Sequence, residues 1–196
     1  MVYSEKIQRA ILCAIRAHEI DQKQKRKGKD VAYIVHPLSV GLILSRVGCT
    51  EDVVAAGILH DTIEDSLPSK KVTKEMLAEE FGDVVASIVD DVTEHDQSRP
   101  WVLRKREALA HIVHFSRNSL LVKSADVLAN VADIVADFTR DGDSVFTRFM
   151  ASKEKILEHY RLAIDALVDA WPKSPLASDL RLHKRKLAVI ARTLGR

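Results

Sequence analysis

Apolar residues recur at helical spacing along almost the whole chain, and no stretch sustains the every-second-residue alternation of a half-buried strand. Residues 4–22 show the pattern first, with Ile7, Ala10, Ile11, Ala14, Ile15 and Ala17 in register. Glycine and proline punctuate the rest of the chain. The basic stretch 23–29 closes on Gly28 and reads as a loop. A helix opens at His36-Pro37, because proline suits the first helical position, and stops at Gly48. Thr50 is read as the cap of a helix that carries 53–65 and breaks at Ser66-Leu67-Pro68. Thr73 caps another that ends at Gly82, and Asp83–Val92 is a separate run. Further helices are predicted over 101–117, 119–139 and 146–170, with a short basic one from about 175 to 194. The expectation is an all-α bundle of about eight to ten helices.

At 196 residues the chain can build one sizeable core but not two. Residues 1–196 are therefore read as a single domain, with 172–196 a basic helical extension. The formal net charge of +2 gives no reason to expect nucleic acid or a membrane surface as partner. No apolar run approaches the roughly 18 residues of a membrane span, and MVYSEKIQRA holds no signal-peptide core. Cys13 and Cys49 read as buried free thiols, and a cytoplasmic location is expected. The oligomeric state is left open.

Three segments place polar residues in apolar surroundings. In Ala55–Asp65, the residues His60, Asp61, Glu64 and Asp65 fall within an arc of about 140° of an ideal helix, with Gly57 one turn earlier read as leaving space over them. An imidazole and three carboxylates buried together need a compensating cation, and N/O donors suit Mn, Fe or Zn. In Leu121–Asp133 a stripe at 123, 126, 130, 133 and 137 follows steps of 3 and 4 along one face, making Asp126 the natural fourth ligand. His36, fixed by Pro37 behind it, is placed to complete the set. Any one of these has a bland explanation as a cap or a paired buried acid. Three independent segments together point to a metal site on His36, His60, Asp61 and Asp126.

These residues resemble the HD-domain phosphohydrolases: a distant His, an adjacent His-Asp pair and a later Asp. Tyr33-Ile34-x-His36-Pro37, Leu59-His60-Asp61-x-x-Glu64-Asp65, Phe81-Gly82, Val92-Thr93-Glu94 and Lys123-x-Ala125-Asp126-x-x-x-Asn130 are similar, more narrowly, to the hydrolase domain of the RelA/SpoT family. The similarity covers roughly residues 5–165, and no synthetase pattern follows, as in the stand-alone small alarmone hydrolases. The resemblance implies a single HD-type helical domain that removes the 3′-pyrophosphate of alarmone nucleotides, usually with Mn²⁺. It implies His36, His60, Asp61 and Asp126 as metal ligands, Glu64 and Asp65 as the residues that activate and position the attacking water, and Asn130 as a nucleotide contact.

The substrate's phosphates ask for further positive charge, for which Lys25, Arg26, Lys27, Arg104 and Lys105 are candidates. The family commonly has four residues between Arg-Lys and Tyr-Ile-x-His-Pro. Here Arg26-Lys27 is followed by five, and Ala32 replaces the usual proline, which leaves both (p)ppGpp and (p)ppApp as substrates. Ser124 and Val127 also stand where the family commonly has Leu and a basic residue. The other readings are an HD phosphatase of ordinary nucleotides, 5′-nucleotidase-like, and a non-catalytic nucleotide-sensing module. Against them stands the complete set of ligands with Glu64-Asp65. His111 and His114 are read as an exposed helix face, His18, His95, His159 and His183 are given no role, and Phe146, Phe149 and Tyr160 are read as core.

Overall fold

The computed structural model describes residues 4–96 and 98–193. Among them run ten α-helices: α1 (Glu5–Ile15), α2 (Val35–Arg46), α3 (Glu51–Leu59), α4 (Thr62–Asp65), α5 (Lys74–Phe81), α6 (Asp83–Val92), α7 (Trp101–His111), α8 (Arg117–Asp141), α9 (Lys153–Ala170) and α10 (Ala177–Arg192). No strand forms among the described residues. One isolated antiparallel bridge, Lys25 with Ala32, closes the basic loop. The all-α expectation is met, although residues 1–3 and 194–196 of the segments read from sequence lie outside the described residues.

The axis of the bundle is α8. Ser116 starts it by accepting the Ser119 N–H at 3.1 Å, and Gly142, at φ +60°, stops it. Leu120, Leu121, Val122, Ala125, Val127, Leu128, Val131 and Ile134 are buried around most of its circumference, as expected of a helix with neighbours on nearly every side. Those neighbours are α2, α3, α6, α9 and α10. Leu180, Leu187 and Ile190 of α10 join the same apolar cluster, so the segment read as an extension also contributes to the core. No helix is long and apolar enough to cross a membrane.

Several boundaries differ from the sequence reading. The first helix keeps α geometry only to Ile15, then widens into a π-helical turn over Arg16–Ile20. The helix read over 101–117 ends at His111 and tightens into a 3₁₀ turn over Ile112–His114. The one read from 146 begins at Lys153, because Ser152 accepts the Lys155 N–H as its cap, and Gly142–Arg148 forms a 3₁₀ segment before it. Thr73 caps α5 as read, whereas Thr50 makes no side-chain capping bond. Cys13 and Cys49 are free but only half-buried.

The most consequential difference lies at His60-Asp61, where the helix read through 53–65 breaks into α3 and α4. The His60 ring takes the Gly57 carbonyl at 2.8 Å, and the Thr62 hydroxyl takes that of Leu59 at 2.7 Å. Side chains that capture backbone carbonyls compete with the helical ladder. Gly57 itself serves packing rather than open space: a Cβ there would sit 2.3 Å from Leu44 Cδ1 on α2.

Candidate metal centre and substrate pocket

Breaking the helix turns His60 and Asp61 to one point. His60 Nε2 lies 3.0 Å from Asp61 Oδ2 and 3.8 Å from Asp126 Oδ1. His36 Nε2, delivered by the first turn of α2, lies 3.3 Å from Asp126 Oδ1 and 3.7 Å from Asp61 Oδ2. His36, His60 and Asp126 each offer a ligand atom, all within 4.8 Å of one another. Around an ion with bonds of roughly 2.1 Å, neighbouring ligands stand about 3.0–3.4 Å apart. The His60–Asp61 and His36–Asp126 spacings, 3.0 and 3.3 Å, already fall in that range, and the two cross spacings are longer, at 3.7 and 3.8 Å.

The hydrogen bonding fits a cation as well. With its Nδ1–H given to Gly57, His60 presents a buried Nε2 that makes no hydrogen bond of good geometry among the described residues and faces two carboxylates. Burial alone would lower the His60 pKa, yet Asp61 and Asp126 lift it to about 9. His36 is held below the ordinary imidazole range by burial, against the pull of Asp126. Both aspartates are kept ionised: burial opposes it, but His60 dominates at Asp61, and Lys123 with the two histidines at Asp126. This donor set therefore asks for a divalent ion.

Neighbouring groups fix the two carboxylates. The Tyr33 hydroxyl donates to Asp61 Oδ2 at 2.5 Å. Lys123 donates to Asp126 Oδ2 at 2.9 Å and Asn130 to Asp126 Oδ1 at 2.6 Å. Asn130 in turn accepts from Arg26 at 2.9 Å, so both ends of its amide are engaged and it couples the basic loop to the metal site.

A pocket of about 330 Å³ opens over this cluster, and Glu64 and Asp65 stand in its wall. Burial and then the carboxylates of Asp61 and Glu94 raise Glu64 to about 7. Asp65 is raised too, by burial and by Asp61. Lys25, Arg26, Lys27 and Lys105 line the same pocket. Lys25 is paired with Asp30, and Arg26 also reaches Asp133 at 3.1 Å while lying over the Tyr33 ring. Lys27 has no hydrogen bond or ion pair among the described residues. Its pKa is drawn down by partial burial and by Lys105 and Arg104, the mark of uncompensated positive potential.

Arg104 is the one basic candidate that does not line this pocket. Its guanidinium bonds Glu94 at 3.0 Å and stands 4.0 Å from Glu64, walling off the adjacent cavity. Lys105 bonds Glu94 as well. Reasoning from sequence assigned no site role to Glu94, Lys123, Gln24 or Arg148, all of which line the pocket. It also read Phe149 and Tyr160 as core, whereas both are half-buried in the pocket wall; Phe146 is core as read. Glu94 and Lys123 lay inside quoted motifs, and Lys123 on the polar stripe, so a signal existed for them. Arg148 had none, since its place depends on the 3₁₀ segment after α8.

The profile of the HD domain family matches residues 10–157. A Xenopus tropicalis protein named guanosine-3′,5′-bis(diphosphate) 3′-pyrophosphohydrolase MESH1 is 40% identical over 121 residues, which span 60% of this chain and 65% of that one. Its Danio rerio counterpart is 40% identical over 121 residues, 60% of this chain and 64% of that protein. The matched region thus spans just under two thirds of these relatives. A Streptomyces coelicolor GTP pyrophosphokinase is 38% identical over 128 residues, 64% of this chain but only 14% of the larger protein. Among solved structures, a metazoan SpoT ortholog described as hydrolysing ppGpp superposes with a TM-score of 0.75 at 24% identity, covering 99% of both chains, a likeness of fold. A Listeria monocytogenes protein superposes at 0.68 with 25% identity over 81% of this chain and 99% of its own.

Proposed function

The chain belongs to the HD domain family, and from that premise we propose that it is a metal-dependent 3′-pyrophosphohydrolase of alarmone nucleotides. The substrates are of the (p)ppGpp or (p)ppApp type, and the products are pyrophosphate and the 5′-phosphorylated nucleoside. One observation carries the reading: a buried His36–His60–Asp126 cluster, with Asp61 beside it, lies at a pocket lined both by Glu64 and Asp65 and by the basic Lys25, Arg26, Lys27 and Lys105. The relatives named as 3′-pyrophosphohydrolases support the substrate class.

His36, His60, Asp61 and Asp126 would hold the ion, for which we propose Mn²⁺. Bound there, it would supply Lewis acidity at a phosphoryl oxygen and acidify a water. The rest falls to the chain's own side chains. Glu64, lifted to about 7, takes the proton of the attacking water at a carboxylate oxygen, close to the pKa a general base needs at neutral pH. Asp65 orients that water. Lys27, Lys105 and Arg26 hold the phosphates, and Lys123 keeps Asp126 in place while adding positive charge at the pocket floor. Arg104 acts from behind, by holding Glu94 against Glu64.

The test is a substrate panel. Purified protein with Mn²⁺ is offered ppGpp, ppApp, GTP and 5′-mononucleotides, and pyrophosphate and phosphate are followed separately. Turnover of one or both alarmones with the others inert is expected, and turnover of only one identifies the base. Hydrolysis of mononucleotides instead of alarmones would overturn the reading.

A further inference from the structure

His18 is fully buried, and its sequence context assigned it no role. It sits in the π-helical turn Arg16–Ile20, closed by the Asp21 N–H to the Arg16 carbonyl at 3.0 Å. Such turns are uncommon and recur at functional sites. The wide turn drops the imidazole against the Tyr33 ring, 4.9 Å between centroids. Its Nδ1 meets Gln24 Oε1 at 2.7 Å, and Gln24 Nε2 donates to Asp65 Oδ2 at 2.9 Å. A second glutamine, Gln22, donates to the Asp65 carbonyl at 2.7 Å and to the Ala17 carbonyl at 2.9 Å.

Gln24 is over-determined. Its N–H gives to the His18 carbonyl at 2.8 Å, and its carbonyl accepts from Tyr33 at 2.9 Å. To return over His18 the chain passes through Lys23 at φ +50°, a left-handed conformation that a non-glycine residue adopts at a cost. Strain of this kind persists where the surroundings enforce it, most often beside active sites.

We propose that His18 and Gln24 are positioning residues for Asp65, a chain His18–Gln24–Asp65 that fixes the carboxylate's rotation and leaves its other oxygen to the attacking water. The inference rests on the reading of Asp65 given above. It also sets the tautomer. An ionised Asp65 needs the amide N–H of Gln24, so Oε1 faces His18 and Nδ1 carries the proton. The buried Nε2 has no hydrogen-bond partner among the described residues.

The chain is read in two ways on the full-length protein. Long-range ¹H–¹⁵N spectra of the wild type should show His18 as the Nδ1–H tautomer; an Nε2–H tautomer would overturn the proposal. Kinetics use His18→Phe, which keeps the ring and its stacking, and Gln24→Leu. Both should lower kcat by about 10–100-fold, the usual effect of losing a group that orients an active-site residue. KM and calorimetric Mn²⁺ affinity should stay at wild-type values. His18→Asn, whose amide nitrogen takes the place of Nδ1, should recover most of the loss. Wild-type kcat in His18→Phe and Gln24→Leu would contradict the positioning role, as would a His18→Asn no better than His18→Phe. If neither variant folds, the wild-type tautomer decides. A wild type that releases no pyrophosphate from any alarmone would remove the parent reading; an active wild type beside fully active variants would remove only this inference.

Discussion

Two backbone carbonyls, those of Gly57 and Leu59, are captured by the side chains of His60 and Thr62, and the convergence of His60 and Asp61 follows that capture. On an unbroken helix His60 and Asp61 would point about 100° apart. With the ladder released they converge to 3.0 Å. Asp61→Ala should abolish turnover and weaken metal binding by calorimetry. Glu64→Gln should lower kcat by about 10²–10⁴-fold, the usual share of a positioned acid–base group, with metal affinity retained; full activity in that variant would refute its role. The clustering of His36, His60, Asp61 and Asp126, proposed as ligands, was legible in the sequence because ionisable residues stood in runs of Ala, Val, Leu and Ile, where burial without a partner is costly. Gln24, Arg148 and Tyr160 were not. Each is an ordinary residue at its own locus, and only the fold brings Gln24 to Asp65 and puts Arg148 and Tyr160 in the pocket lining.

At the scale of elements, α8 delivers Lys123, Asp126, Asn130 and Asp133 to the pocket from a single stripe, so its register sets the site. Its start is pinned by Ser116, which accepts from the Ser119 N–H and meets the Ser119 hydroxyl at 2.8 Å, while that hydroxyl donates to Asp91 on α6 at 2.6 Å. Ser116→Ala should destabilise the protein by about 1 kcal/mol in denaturant unfolding, the usual worth of such a cap. An unchanged midpoint would show the cap to be idle. Helix existence was legible from periodicity throughout, and boundaries were legible where a glycine was read as ending a helix, at Gly48 and Gly82, whereas the stop at Gly142 was placed two residues early, at 139. The π-helical and 3₁₀ segments were not, since a change of hydrogen-bond step leaves the apolar pattern nearly intact. Starting α9 at 146 rather than Lys153 came from reading buried Phe146 as helical and passing over Ser152 as a cap.

Over the whole molecule, long-range ion pairs tie the basic loop to the far end of α8. Lys29 reaches Asp137 at 2.6 Å and pairs also with Asp133, while Arg148 reaches Asp137 at 2.6 Å from the 3₁₀ segment. Gly28, at φ +67°, is held against Arg148: a Cβ there would lie 2.7 Å from Arg148 Cβ. Burial opposes the Asp137 charge, yet Lys29 and Arg148 hold its carboxyl below the ordinary range. A carboxylate depressed on folding contributes stability above its unfolded pKa of about 3.9, and loses it as pH falls through the folded value. Asp137→Asn should therefore cost about 3 kcal/mol at neutral pH, as removing one partner of a buried pair does, with the difference shrinking as pH falls below the unfolded carboxylate value toward the lower folded one. A pH-independent difference would contradict the assignment. The same loop carries Lys25, Arg26 and Lys27, so loosening this latch should raise KM for a polyphosphate substrate more than it lowers kcat.

The proposed reaction has a product pattern that few alternatives share, and one measurement reads it directly. Protein stripped of metal is incubated with ppGpp and with ppApp, with and without Mn²⁺, and products are separated by anion-exchange chromatography. The expected result is pyrophosphate and the 5′-diphosphate nucleoside in equal amounts, from at least one alarmone and only with metal. Stepwise release of orthophosphate, or equal turnover without metal, would contradict it.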